Sequence, residues 1–191
     1  MPFIETGIPG LQVFEPHLLR DHRGYFYESY NERLFHDHGI TDHFVQDNQA
    51  RSGYGTIRGL HYQLNPMAQS KLVRVTEGSV LDVAVDLRTG SPTYGKAFSI
   101  VLSAEAKNQL YVPRGFAHGY SVLSETAEFL YKCDSFYSRE HERGISFQDP
   151  ALRIDWRIPE SKRLLSEKDL LHPVLEAADK NFIFTQPAQR P

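Results

Sequence analysis

The chain has 191 residues, 40% of them hydrophobic and 24% charged, with 24 acidic against 21 basic side chains and a net charge of −3. That length fits one domain whose core needs no disulfide or metal to hold it, and the charge balance excludes a general duplex-binding surface, which carries a basic excess. The single cysteine, Cys133, has no intrachain partner, the opening MPFIETGIPG lacks a basic and apolar leader, and no apolar run reaches membrane-spanning length, so a cytoplasmic protein with neither membrane nor nucleic-acid partners is expected.

In chain order, short strands are expected at Leu11 to Glu15 and Gly24 to Tyr30, joined by a turn at Asp21-His22-Arg23-Gly24. Asn31 is placed to cap a short helix, Glu32 to His38, that stops at Gly39. Beyond it the pattern is nearly all strand and turn: Phe44 to Ala50, Thr56 to Gln63, Ser70 to Glu77, Ser79 to Leu87, Lys96 to Leu102, Gln109 to Val112, Gly115 to Leu123 and Ala127 to Tyr137. Thr89-Gly90-Ser91-Pro92 and Val112-Pro113-Arg114-Gly115 are the clearest turns. Short strands separated by Gly, Pro, Asn or Ser predict an all-β sandwich or barrel, not alternating β and α units. Ser161 to Ala178 is the only other helical text, and 179–191 reads as a loose tail on a single 1–191 domain.

Chemistry concentrates in Gly55 to Val75, GTIRGLHYQLNPMAQSKLVRV, which carries Arg58, His61, Gln63, Lys71 and Arg74. Strand parity gives each element two faces. In Gly78 to Arg88, Leu81, Val83, Val85 and Leu87 form an apolar face and Asp82, Ala84 and Asp86 the other, which predicts a lined pocket or an exposed surface. His118 shares a face with Tyr120, and Tyr131 with Cys133. A regular strand would send Arg58 and His61 to opposite faces, but a bulge at Gly59 would bring both to one ligand.

The segments FVQDNQARS, GTIRGLHYQ, AQSKLVRV, GSVLDVAVDLR, SPTYG, VPRGFAHGY, YKCDSFYSREHERGI, DPALRIDW and LSEKD resemble the dTDP-4-dehydrorhamnose 3,5-epimerases, in register from about Asp21 to Asp169. The resemblance implies a cupin-type double-stranded β-helix, or jelly roll, with a few short helices. It implies His61 as catalytic base, Asp169 as the carboxylate that pairs with it, Tyr131 as the acid on the other side and Lys71 beside the sugar keto oxygen. Arg23, Phe26, Glu28, Gln46, Asn48, Arg58, His118, Glu142 and Lys168 fall on nucleotide- or sugar-binding positions, and Tyr137 where an aromatic stacks on the base. It further implies a homodimer whose N-terminal strands cross to the partner, and a place in L-rhamnose supply for cell-surface polysaccharide such as lipopolysaccharide O-antigen. The implied substrate is a dTDP-4-keto-6-deoxyhexose, inverted at carbons 3 and 5 without metal or other cofactor.

Those residue types suit the reaction. Hydrogens flanking a ketone are acidified, a neutral imidazole with an ordinary pKa near ~6.5 can take one, and a phenol near ~10 can return one from the opposite face. A cation at the keto oxygen offsets the enolate charge. Plainer readings exist for each residue. Ser166 stands three residues before Asp169, the spacing of a helix capping box, and His118 with Asp82 fits a buried structural pair. Tyr131 can be core, Lys71 a solvated strand end, and Arg23 and Arg58 surface charges. Three rival functions share the sequence: inversion of one centre only, a metal-dependent cupin, and a non-catalytic sugar-nucleotide binder. The metal reading meets half of its motif in Pro113-Arg114-Gly115-Phe116-Ala117-His118, but Gln63 stands where a second histidine is needed.

Overall fold

The computed structural model describes residues 2–185. Its strands are β1 (Phe3–Glu5), β2 (Gln12–Phe14), β3 (Leu19–Asp21), β4 (Gly24–Phe26), β5 (Gln46–Gly53), β6 (Ile57–Gln63), β7 (Lys71–Glu77), β8 (Ser79–Asp86), β9 (Ala97–Ser103), β10 (Gln109–Val112), β11 (Phe116–Val122), β12 (Thr126–Cys133) and β13 (Glu142–Gly144). Helix α1 spans Glu32–Asp37 and α2 Glu167–Leu170, with one 3-10 turn at Glu160–Lys162. One sheet runs β1-β2-β10-β7-β12-β5, a second β13-β6-β11-β8-β9, and β3-β4 form a separate hairpin. From β5 to β12 the chain crosses between the two large sheets at every step except the β8–β9 hairpin. That alternation of antiparallel strands is the double-stranded β-helix.

Three apolar clusters hold the layers together. Val73, Val75, Ala84, Leu110, Phe116, Val122 and Phe129 fill the space between the sheets. Leu81, Val83, Val85 and Leu87 point the other way, under a cover made by Phe147, Trp156, Leu175 and Phe182. Both faces of β8 are therefore buried: Asp82 and Asp86, which parity put on one polar face, are fully enclosed. Asp86 accepts bonds from Arg88, Ser91 and Thr93 and so ties down the 88–93 turn. Helix α1, capped by Asn31 accepting from the Leu34 amide, packs Phe35 with Phe14, Leu72 and Tyr111 on the outside of the six-stranded sheet.

Several expected boundaries move. The strand expected over Gly24 to Tyr30 ends at Phe26, because its partner among the described residues is the three-residue β3. The strand expected through Tyr137 ends at Cys133, where its pairing with Gln46 ends; Asp134 then accepts from the Ser70 amide. Ser161 to Ala178 is not a helix but two short helical turns. Pro173 disfavours helical backbone at His172, and the segment bonds outward, its Pro173 carbonyl accepting from Ser146 and its Leu175 amide donating to Asp149. Nor is the chain loose from 179: the Tyr62 hydroxyl donates to the Asp179 carbonyl at 2.6 Å, Phe182 is buried, and Thr89 pairs with Ile183. Residues 186–191 of the expected tail lie outside the described residues. No described helix is long and apolar enough to cross a membrane.

The bulge expected at Gly59 is present. His61 pairs with His118 and Arg58 with Tyr120, so two residues of β6 face one of β11 between those pairs. Gly59 has φ +125°, and a Cβ there would stand 2.5 Å from the Gly119 Cα. Gly59→Ala is accordingly expected to lower stability by roughly 2–4 kcal/mol through backbone strain and overpacking, read as a fall in the urea midpoint at constant m-value; an unchanged midpoint would show that the ladder yields freely here.

Candidate active site

The bulge decides which side chains meet. With it, Arg58 and His61 of β6 and His118 of β11 all line one cavity of about 400 Å³ between the sheets, faced by Lys71 of β7 and Tyr131 of β12. The mouth is closed on one side by Leu164, Leu165, Ser166, Lys168 and Asp169, which arrive from the covering C-terminal segment. A second lobe of about 330 Å³ shares His61, Lys71 and Tyr131 and adds Gln46, Asn48, Gln63, Gln69, Tyr137 and Glu142.

At the cavity mouth His61 Nε2 meets Asp169 Oδ1 at 2.5 Å. Burial alone would raise the Asp169 pKa, but the hydrogen bond and charge of His61, with the Ser166 hydroxyl, outweigh it and hold the carboxyl below its ordinary value. The capping geometry is real as well: Ser166 Oγ accepts from the Asp169 amide at 3.2 Å at the start of α2. The backbone amide of Asp169 thus serves the cap while its carboxylate serves the histidine, with the Ser166 hydroxyl a lesser influence on that carboxylate. An acceptor on Nε2 leaves Nδ1 as the imidazole nitrogen able to take a proton.

Across the cavity, Tyr131 and Lys71 lie on adjacent strands, two register positions apart. The Lys71 ammonium is 6.0 Å from the centroid of the Tyr131 ring. Burial pushes the Tyr131 phenol up to about 12, with Cys133 and Tyr120 adding to it and Arg58 opposing. Burial likewise lowers Lys71, against the attraction of Cys133, Asp82 and Glu142. One wall therefore carries a firmly protonated phenol and a cation whose charge is costly until an anion comes near.

The remaining residues fall into two groups. Gln46 donates to Asn48 Oδ1 and accepts from the Tyr137 amide, while the exposed Tyr137 ring has its hydroxyl on Glu142 at 2.8 Å. Lys168 meets the same Glu142 carboxylate at 2.5 Å; burial would raise that carboxyl, but Lys168 and Tyr137 hold it below its usual value. Arg58 donates to Ser52 Oγ. His118 lines the cavity while its Nε2 sits 3.0 Å from both oxygens of the enclosed Asp82, so the structural pair and the cavity wall are one residue. Arg23, Phe26 and Glu28 are not part of this site: Arg23 binds Asp21, Glu28 accepts from Asn31, and Phe26 is exposed on the β3–β4 hairpin beside other clefts.

Sequence reasoning named Gln63 without giving it a role, and overlooked Ser52 and His172. Gln63 donates to the Met67 and Phe136 carbonyls and accepts from Ser138, which fixes the stretch carrying Tyr137; its place in GLHYQ at a strand end was the available signal. His172 touches the dyad from beyond α2, and its ring centroid is 5.5 Å from that of His61. Hidden behind the helical pattern of 161–178, it had no signal of its own.

A family model described as dTDP-4-dehydrorhamnose 3,5-epimerase matches residues 5–177. The chain belongs to the dTDP-4-dehydrorhamnose 3,5-epimerase family. It is 56% identical over 172 residues to the dTDP-4-dehydrorhamnose 3,5-epimerase of Pseudomonas aeruginosa, covering 88% of this chain and 93% of that one. To the enzyme of the same name from Shigella flexneri it is 52% identical over 171 residues, covering 89% and 93%. Among solved epimerase structures, that of Legionella pneumophila dTDP-6-deoxy-D-glucose-3,5-epimerase in complex with dTDP-4-keto-L-rhamnose superposes with a TM-score of 0.89 at 48% identity, covering 93% of this chain and 94% of that one. The cupin-type fold expected for the epimerase family is therefore the fold of this chain.

The two contacts of Asp169 separate experimentally. Ser166→Ala is expected to cost about 1 kcal/mol of stability, the loss of a cap, while the imidazole proton on His61 Nε2 moves its NMR shift only slightly. Asp169→Asn should move that resonance with the helix intact; a shift moved equally by both variants would mean that the cap itself holds the dyad.

Proposed function

We propose that the chain is an isomerase that epimerises dTDP-4-keto-6-deoxy-D-glucose at carbons 3 and 5 to dTDP-4-keto-L-rhamnose. The observation that carries the reading is the pair of His61 with the buried Asp169, set across one cavity from Tyr131 and Lys71. His61, through Nδ1, takes the proton next to the keto group. Asp169 fixes the tautomer and stabilises the imidazolium. Lys71 meets the enolate oxygen, where the developing negative charge offsets the penalty that burial places on the ammonium. Tyr131, on the other sheet, returns a proton from the opposite side, which inverts the carbon. Every step is a proton transfer, so the cycle is redox-neutral and calls for no electron acceptor.

Substrate binding divides between the two lobes. Arg58 is available to the diphosphate, whose oxygens a planar guanidinium can bind in pairs. Tyr137 offers an exposed ring to the base, with Gln46, Asn48, Glu142, Lys168 and His118 supplying polar contacts. Arg23, Phe26 and Glu28 serve the cavity of a neighbouring copy in a homodimer. Supporting this, Leu19, Tyr25 and Phe26 expose large apolar side chains on a hairpin remote from this chain's own His61. The relatives at the identities given above carry the 3,5-epimerase name, which favours two inverted centres over one.

Deuterium incorporation tests the roles. In heavy water the wild type should exchange both carbons, and His61→Ala neither. Tyr131→Phe should retain exchange at the carbon where His61 acts while net inversion falls ~10²–10⁴-fold. Inversion near the wild-type rate in Tyr131→Phe would make that tyrosine a packing residue.

Lys71 sets a pH dependence whose sign follows from its burial. Since burial lowers its pKa, raising the pH discharges the ammonium before lysine's ordinary ~10.5 is reached, and kcat/KM should fall on an alkaline limb below that value. Tyr131, up at about 12, stays protonated throughout. A kcat/KM profile flat to pH ~10.5 would remove Lys71 from the charge-stabilising role.

A further inference from the structure

His172 lies against the dyad and has no part in the proton-transfer scheme. Its side chain is 11% exposed, and its Nε2 lies 3.5 Å from Asp169 Oδ1, the oxygen that His61 Nε2 also approaches. Among the described residues that buried nitrogen has no hydrogen-bond partner. The ring is firmly seated. A Cβ on Gly144 would meet Nε2 at 2.3 Å, so only glycine leaves room for the imidazole, and Gly144 is the cross-strand partner of His61. The Leu171 amide donates to the Lys168 carbonyl just before His172, and just after it the Pro173 carbonyl accepts from the Ser146 amide and the Leu175 amide donates to the Asp149 carboxylate. Ligand atoms of His61, Asp169 and His172 all fall within 4.8 Å of one another.

We propose that His61, Asp169 and His172 form a binding site for a zinc-class divalent ion, and that its occupation arrests the enzyme. Two imidazoles and one carboxylate are the donor set of borderline metals, unlike the all-oxygen shells of magnesium and calcium. Tetrahedral zinc with bonds of about 2.0–2.2 Å spaces its ligand atoms roughly 3.3 Å apart. The His172–Asp169 distance already matches this, and the His61–Asp169 contact need open by less than an ångström. The ion also gives the orphaned His172 nitrogen the partner it lacks.

Arrest follows from proton bookkeeping on one ring. A neutral imidazole has a single lone pair. In the metal-free dyad the proton sits on Nε2, donated to Asp169, and the lone pair is on Nδ1. A metal on Nε2 takes the lone pair there, and the displaced proton is carried on Nδ1, so His61 can no longer accept one from the sugar. The nucleotide contacts are untouched, so kcat should fall while KM stays.

This arrest rests on His61 being the base; the metal binding does not. Cobalt(II) titrated into the metal-free wild type should give the visible absorption bands of tetrahedral coordination at one equivalent. His172→Gln and the shape-preserving His172→Phe, each first checked for a cooperative melt, should lack them. Micromolar zinc should lower wild-type kcat at least tenfold with KM unchanged and with full recovery on adding chelator. Each variant, normalised to its own metal-free rate, should need at least tenfold more zinc. Cobalt bands or zinc sensitivity that persist in both variants overturn the site. Bands that vanish in the variants while wild-type turnover ignores zinc overturn the arrest, and whether His61 is the base is then read separately from exchange in His61→Ala.

Discussion

The contact between His61 and Asp169 is the constraint on which the site depends. It joins a strand of the inner barrel to a short helix 108 residues later in the chain, and it can form only if the C-terminal segment is wrapped across the outside of β8 and brought back to the cavity mouth. Trp156, Leu175 and Phe182, packed on Leu81, Val83 and Val85, do that wrapping. Because folding holds the Asp169 carboxyl below its ordinary value, the dyad contributes stability that is present above ~3.9 and is lost as pH falls through the lowered folded value. The stability and the orientation of His61 therefore share one hydrogen bond.

Charge in the cavity is divided by sheet. The five-stranded sheet and its cover bring His61, with Asp169 behind it, and His118, with Asp82 behind it; the six-stranded sheet brings the buried Lys71 ammonium and the Tyr131 phenol. Each histidine has an enclosed carboxylate on its far side, whereas Lys71 lies over an aromatic ring. A planar ligand between the sheets meets a basic nitrogen on one face and a proton donor with a cation on the other. That asymmetry is what inversion of a carbon centre demands and what a plain binding pocket has no use for.

Much of this was legible in the sequence, for reasons that can be named. Strand alternation and turn residues located the barrel because the period-2 pattern reports burial directly. The glycine between Arg58 and Leu60 gave away the bulge, since a Cβ there cannot coexist with Gly119. From the GLHYQ and SKLVRV segments His61, Gln63 and Lys71 reached the cavity lobes, whereas Arg74 lines a different cleft. What failed was local propensity overruled from a distance. The stretch 161–178 reads as helix, yet Pro173 and hydrogen bonds to the Ser146 amide and the Asp149 carboxylate break it after α2. Parity alone left the Asp82, Ala84 and Asp86 face of β8 open between a pocket and an exposed surface, because what buries it is the facing sheet, supplied by strands elsewhere in the chain. Arg23, Phe26 and Glu28 carried a motif but no geometry: nothing in one chain brings their hairpin to His61.

The break in that would-be helix bears directly on the site. In a continuous helix Asp169 and His172, three residues apart, would share a face, but Leu175 and Ala178 would continue along the same axis instead of turning down into the apolar layer beneath β8. Ending α2 at Leu170 lets the chain do both: the first turn presents Asp169 to His61, and the extended residues after His172 drop Leu175 into the core. Ser166 at the start and Pro173 after the end are the residues that enforce so short a helix. The stretch that looked most regular in the sequence is thus irregular in the fold because one turn is all that the histidine requires.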